Sequence, residues 1–250
     1  MISTIWRKWL CRQIVIEMQP KRIELVAAIG FKYSQSRTVS EVLLTPDTFS
    51  DLKELEKAVV QQHGQLKIKS VYRSWEKQQE LFDLHEQDPK KYAVASAPGK
   101  SFHQAGRAVD FAIQELNFKD VPKEKWLEKF WSLYKPLGFT PIIDKPNMDE
   151  SEAWHADHLG VWTSVRSRAG YLPTAQCAIL DVGNWNPKEQ ISKQKQMFVQ
   201  SQLYRLGCFE IGKIDGVLGT KSNIALKSLG LDSKNIDEII GKIKNYERKT

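Results

Sequence analysis

Two short runs of this sequence carry groups that work only in combination, so the fold must bring together segments more than forty residues apart. The first is Ser101 to Asp110, SFHQAGRAVD, with an imidazole and a carboxylate seven positions apart. The second is SEAWH, ending at His155, with a carboxylate and an imidazole three positions apart. His103, Asp110 and His155 make a set of two imidazoles and one acid, which leaves a catalytic metal ion one open position, and Zn²⁺ is the usual occupant of such a set. Glu152 remains as the base.

Local sequence fits that assembly. His103 follows the turn-prone run SAPGKS and is expected where a loop enters a strand, while Arg107 to Ile113, RAVDFAI, alternates and projects Asp110 from one face of a short strand. Ala105, Gly106 and Ala108 leave room for backbone around an ion. Glu152 and His155 approach the same ion from one short segment, with the ring of Trp154 buried behind it. A single His or Asp is more often a surface or hydrogen-bonded core group than a ligand; the joint pattern carries the reading. His63, before a glycine, and His85, in a charged helix, read as solvated, and His158 is the fallback ligand. Arg73 ends the alternating run LKIKSVYR, where it is either a surface ion pair or a bidentate clamp for a carboxylate.

The rest of the chain supplies cores. At 250 residues and 41% hydrophobic content it can bury one medium core and a smaller second one. Residues 20–64 read as mostly helical, with Ser50 or Asp51 capping LKELEKAVVQQ. EKQQELFDLHEQ forms another helix, and in VPKEKWLEKFWSLYKPLGF the aromatics Trp126, Phe130, Trp131 and Tyr134 form a core stripe at helical spacing. Cys11, Cys177 and Cys208 have no metal spacing; of a Cys177–Cys208 bridge or reduced thiols, the reduced state is preferred. The first 22 residues are broken by charge and lack the unbroken apolar run of about 7–15 residues of a secretory signal, and no stretch is long enough to span a membrane. A net charge of +7 and a pI near 9.2 favour an anionic partner, but lysines interspersed with glutamates and the absence of any nucleic-acid-binding signature argue against nucleic acid.

SFHQAGRAVD resembles the S-x-H-x-x-G-x-A-x-D signature, and SEAWH the E-x-W-H signature, of the zinc D-alanyl-D-alanine peptidases of the VanY and VanX type. The upstream run VYRSWEKQQELF, Val71 to Phe82, is similar to the Y-R-S-x-x-x-Q segment of the carboxypeptidase branch, so the resemblance spans roughly residues 65–165. It implies an α+β fold in which a small antiparallel sheet with flanking helices holds one zinc per chain. Residue by residue, it makes His103, Asp110 and His155 the zinc ligands and Glu152 the general base. Arg73 faces the substrate as a second catalytic group, and Gln78 and Ser101 are substrate-side or supporting hydrogen bonders. Ala153 stands where many relatives have proline, which bears on the shape of the pocket.

Residues 197–229 resemble the peptidoglycan-binding repeat of small three-helix domains, Q-x-x-L-x-x-L-G followed by G-x-I-D-G-x-x-G, at Gln200, Leu203, Leu206, Gly207, Gly212, Asp215, Gly216 and Gly219. The expected division is a catalytic domain over 1–178 with a helical part over 1–64, a linker over 179–192 containing GNWNPK, and a small all-α domain over 193–250. Together these resemblances imply a monomer that acts at the bacterial wall, outside the cytoplasm, on peptidoglycan stem peptides and bound to the wall polymer. The preferred activity is a D,D-carboxypeptidase that removes the terminal D-alanine; the alternative is an endopeptidase of phage or prophage endolysin type, and last an inactive wall-binding protein. A free-dipeptide hydrolase is disfavoured, since a soluble dipeptide gives a wall anchor no use.

Overall fold

In the computed structural model, which describes residues 23–35 and 42–246, the alternation of RAVDFAI is realised in strand β4 (Ala108–Phe111), set within a chain that divides into two units. The first unit is Ile23–Thr163. It contains β1 (Val26–Ala27), β2 (Leu43–Leu44), α1 (Pro46–Gln61), β3 (Ile68–Ser70), α2 (Trp75–Gln87), β4, α3 (Trp126–Tyr134), β5 (Phe139–Pro141) and β6 (His155–His158). The latter four strands form one antiparallel sheet in the order β3-β4-β6-β5, and β1 pairs separately with β2.

Side chains alternate across a strand, so the sheet sorts its residues onto two faces. Val109 and Phe111 of β4 and Ala156 of β6 turn to a core shared with Leu52, Leu55 and Val59 of α1 and Leu127, Phe130, Trp131 and Tyr134 of α3. Phe111 meets Phe130 edge to face at 4.9 Å between centroids, a favoured aromatic geometry. The expected aromatic stripe is therefore core, with Trp126 packed partly buried at its edge. The other face of β4 and β6 carries Asp110, His155 and Asp157, all buried.

The N-terminal part differs from the helical expectation. Among the described residues before Pro46 the elements are strands, and the backbone there bonds to distant partners: Ala28 N–H to Val42 O at 2.6 Å, Ser34 N–H to Ile68 O at 2.9 Å, and Ile68 N–H to Lys32 O at 3.0 Å. Tertiary pairing outweighs a weak local propensity there. Helix α1 also begins earlier than expected. Its N-cap is Thr45 and Pro46 sits in its first turn, where a missing N–H costs nothing. Asp51 is thus inside the helix, where it bonds His158 instead of capping. The reading of the first 22 residues, and Cys11, lie outside the described residues.

The second unit takes in Ser164 onward. Helix α4 (Thr163–Ala169) starts at the boundary, followed by α5 (Tyr171–Val182), α6 (Ile191–Arg205), α7 (Thr220–Ser228) and α8 (Ile236–Tyr246). The expected division at 178 and linker over 179–192 do not match this. Ile179, Leu180, Asp181 and Val182 are buried turns of α5, which packs on α6, and the connection between these helices is confined to residues 183–190. Helix α6 ends in a Schellman motif: Cys208 N–H bonds Leu203 O at 2.9 Å and Gly207 N–H bonds Tyr204 O at 3.0 Å, with Gly207 at φ +88°. Buried Gln200 clamps the following loop, donating to Lys213 O, Asp215 Oδ1 and Val217 O and accepting from Asp215 and Gly216 N–H. The conspicuous Gln, Asp and Gly of this segment therefore build the loop itself. Cys177 and Cys208 are free thiols, Cys177 buried.

Candidate metal centre

Strand register assembles the site. Asp110 on β4 stands opposite His155 on β6 and opposite Ser70 on β3, so three neighbouring strands deliver one row of polar groups. His103 arrives from a 3₁₀ turn, Phe102–Ala105, rather than from the strand entry that was expected. Ser101 Oγ accepts from His103 N–H at 3.4 Å at the start of that turn, and Gly106 ends it at φ +63°, where an added Cβ would lie 2.6 Å from Leu25 Cδ2.

The donor atoms converge. His103 Nε2 lies 3.1 Å and His155 Nδ1 3.0 Å from the same Asp110 oxygen, Oδ1, and one ligand atom from each residue falls within 4.8 Å of the others. Each imidazole is held by its second nitrogen: His103 Nδ1 bonds the carbonyl of Val71, and His155 Nε2 bonds Asp157 Oδ1 at 2.8 Å. Such partners fix ring orientation and the tautomer each ring takes when neutral, in which the inward nitrogen turns its lone pair towards the centre. Two inward imidazole nitrogens and a carboxylate, each backed in this way, fit a zinc ion by the chemistry of the donor set.

Charge is unevenly held here. Burial pushes the Asp110 carboxyl up, but His103, His155 and Arg73 outweigh it and hold it well below the usual carboxylate range. Arg73 Nη2 donates to Asp110 Oδ2 at 2.8 Å and to Ser70 Oγ at 3.3 Å. Burial and the Arg73 charge lower the pKa of His103. Burial opposes the charge on His155 too, yet Asp157 and Asp110 raise its pKa to about 10.

Glu152 sits in the turn before β6 in the left-handed region, φ +66°. It shares with Asp110, Arg73 and Trp154 the wall of a cavity of about 380 Å³, closed on its other side by α2 and the stretch Tyr92–Ala95. Burial raises the Glu152 pKa, the positive His155 and Arg73 opposing. Among the described residues its carboxylate has no hydrogen-bond partner.

The sequence-predicted residues are thus found in different places. His103, Asp110, His155, Glu152 and Arg73 come together. Gln78 is fully buried, and its Nε2 donates to Ser96 O at 2.6 Å, so it fastens the cavity-wall segment from behind. His158, the fallback ligand, faces away: its Nε2 bonds Asp51 at 2.8 Å and its Nδ1 Thr48 at 2.9 Å, because three positions along a strand reverse the face. His63 is exposed, whereas His85 is half-buried with Nδ1 3.2 Å from Tyr92 O, which corrects the solvated reading. Sequence reasoning missed Asp157, whose i, i+2 spacing from His155 in a strand was a usable signal. It also missed Tyr92–Ala95, for which no pattern existed.

A buried triad of two imidazoles and a carboxylate, beside a cavity bearing a further carboxylate and an arginine, defines a metallopeptidase-type hydrolase site. By comparison, residues 41–161 match the model of VanY, D-alanyl-D-alanine carboxypeptidase. Among solved structures the chain is similar to LdcB, an LD-carboxypeptidase, at 21% identity and TM-score 0.42, covering 64% of this chain and 77% of that one. It is also similar to the D,D-pentapeptidase VanY of a VanB-type resistance cassette, solved with Zn(II), at 19% identity and TM-score 0.39, covering 63% and 98%. DacB, an L,D-carboxypeptidase from Streptococcus pneumonia, matches at 24% identity and TM-score 0.35, covering 55% and 85%. No curated protein matches.

Proposed function

We propose that this chain is a zinc D,D-carboxypeptidase that removes the terminal D-alanine from peptidoglycan stem peptides at the bacterial wall. The observation that carries the reading is the convergence of His103 Nε2, Asp110 and His155 Nδ1 at the edge of a cavity that Glu152 and Arg73 share. His103, Asp110 and His155 would hold a zinc ion, which would supply Lewis-acid chemistry for amide hydrolysis. The Glu152 carboxylate, without a hydrogen-bond partner among the described residues and raised in basicity by burial, takes a proton from the attacking water and returns it to the departing amine. Arg73, held on Asp110 Oδ2, sets a positive charge beside the carbonyl oxygen where negative charge develops. Asp157 and the Val71 carbonyl hold the two imidazoles in register throughout.

The second unit is read as a wall anchor on its Gln200 to Gly219 pattern; such a module keeps the enzyme at high effective concentration on an insoluble polymer. The deciding experiment is mass spectrometry of purified muropeptides incubated with the zinc-loaded full chain. Loss of one alanine from pentapeptides, absent with Glu152→Ala, is the expected result. Separation of a cross-link or stem fragment would replace the reading with an endopeptidase, and no product would remove the peptidase assignment.

A further inference from the structure

The cavity beside the metal centre contains a cation that the proposed chemistry does not use. Ile68 of β3 pairs with Phe111 and Ser70 with Asp110, so Lys69 is an extra residue set against two consecutive partners. An irregularity of this kind turns a side chain out of its normal alternation, and Lys69 lines the cavity together with Arg73 and Glu152. It is half-buried, and among the described residues it makes no ion pair or hydrogen bond. Arg73, by contrast, is engaged with Asp110 and Ser70. Across the cavity Leu81, Leu84, Ala93 and Val94 offer an apolar wall. A negatively charged substrate end entering here meets the carboxylates of Asp110 and Glu152, and needs a cation of its own to be held.

From this we infer that Lys69 receives the C-terminal carboxylate of the substrate, while the apolar wall takes the small side chain of the terminal residue, and Arg73 is left for the developing oxyanion. The inference rests on the carboxypeptidase reading. It makes Lys69 a specificity residue that selects peptides with a free carboxylate and a small apolar end.

The test uses one peptide in two forms, ending D-alanyl-D-alanine as the free acid or as the carboxamide, bound calorimetrically to the full chain carrying Glu152→Gln with Zn(II) added. With Lys69 intact, the acid is expected to bind about tenfold more tightly, the worth of one charge-assisted hydrogen bond. Lys69→Met is expected to abolish that preference and leave carboxamide binding unchanged, and Lys69→Arg to restore it. A preference that survives Lys69→Met overturns the inference and assigns the carboxylate elsewhere. Release of D-alanine by the unsubstituted protein is measured in parallel. If release occurs and the preference survives Lys69→Met, only the role of Lys69 fails; if there is no release and neither peptide binds, both readings fall.

Discussion

Glu152 occupies a backbone region that non-glycine residues seldom adopt, and strain of this kind, of order 1–3 kcal/mol, persists where the surroundings impose it. Here it directs a half-buried carboxylate into the cavity. A base must be deprotonated to act, so activity is lost as pH falls through its pKa. Because burial raises that pKa, the acid limb of the kcat/KM profile is expected above the ordinary carboxylate range. Glu152→Gln should lower kcat by about 10²–10⁴-fold while leaving metal content and thermal stability intact, a split readable by metal analysis and calorimetry. His155 behaves in the opposite sense. Its folded pKa is raised from 6.5 to about 10, so in metal-free protein its charged form adds stability that is full below pH 6.5 and is lost as pH rises through about 10. Chelated protein should therefore lose melting temperature between neutrality and pH 10. Zinc must displace that proton, so binding at neutral pH should release about one proton, measurable by titration in buffers of different ionisation enthalpy. No release would show His155 already neutral.

The site is an outcome of strand pairing, and the elements around it enforce that pairing. Buried Arg107 bonds Asp47 at 3.0 Å, and its carbonyl accepts from His158 N–H at 2.6 Å, tying β4 to β6 and to the start of α1. Gly160, at φ +51°, lies against this group: an added Cβ would come within 2.6 Å of Asp47 Oδ2 and 2.8 Å of Arg107 Nη1. Gly160→Ala is expected to cost about 2 kcal/mol in denaturant unfolding, with no metal ligand touched. In the second unit Gln200→Ala strands the loop N–H and carbonyl groups it serves and should cost about 3 kcal/mol. Strand β4 and helix α3 were legible because alternation and helical spacing report burial directly. The stretch before α1 was not: residues 26–34 are fixed by partners near positions 42 and 68, which no local window contains. The donor set was legible as motif spacing, whereas the cavity wall at Tyr92–Ala95 depends on Gln78 reaching Ser96 from another element.

At the scale of the chain, the run GNWNPK reads in sequence as part of a linker that starts at 179, whereas in the structure it follows helix α5, whose buried Ala178 to Val182 belong to the second unit. Glycine and proline punctuate elements, and domain limits are set by which faces are covered. The net charge of +7 points to an anionic surface, and co-sedimentation of the full-chain Glu152→Ala protein with purified sacculi is expected to weaken between about 0.1 M and about 1 M salt, as the screening length shrinks from about 10 to about 3 Å. Retention indifferent to salt would mean that charge plays no part. Finally, His155 and His158 lie on opposite faces of a four-residue strand, one serving the metal centre and the other the packing beneath it. Tolerance to insertions is therefore sharply uneven along the chain: within the exposed run 144–147 the length can drift with little harm, but one residue gained inside the strand would exchange the duties of its two faces. Heritable variation in this protein is free in one stretch and discrete in the next.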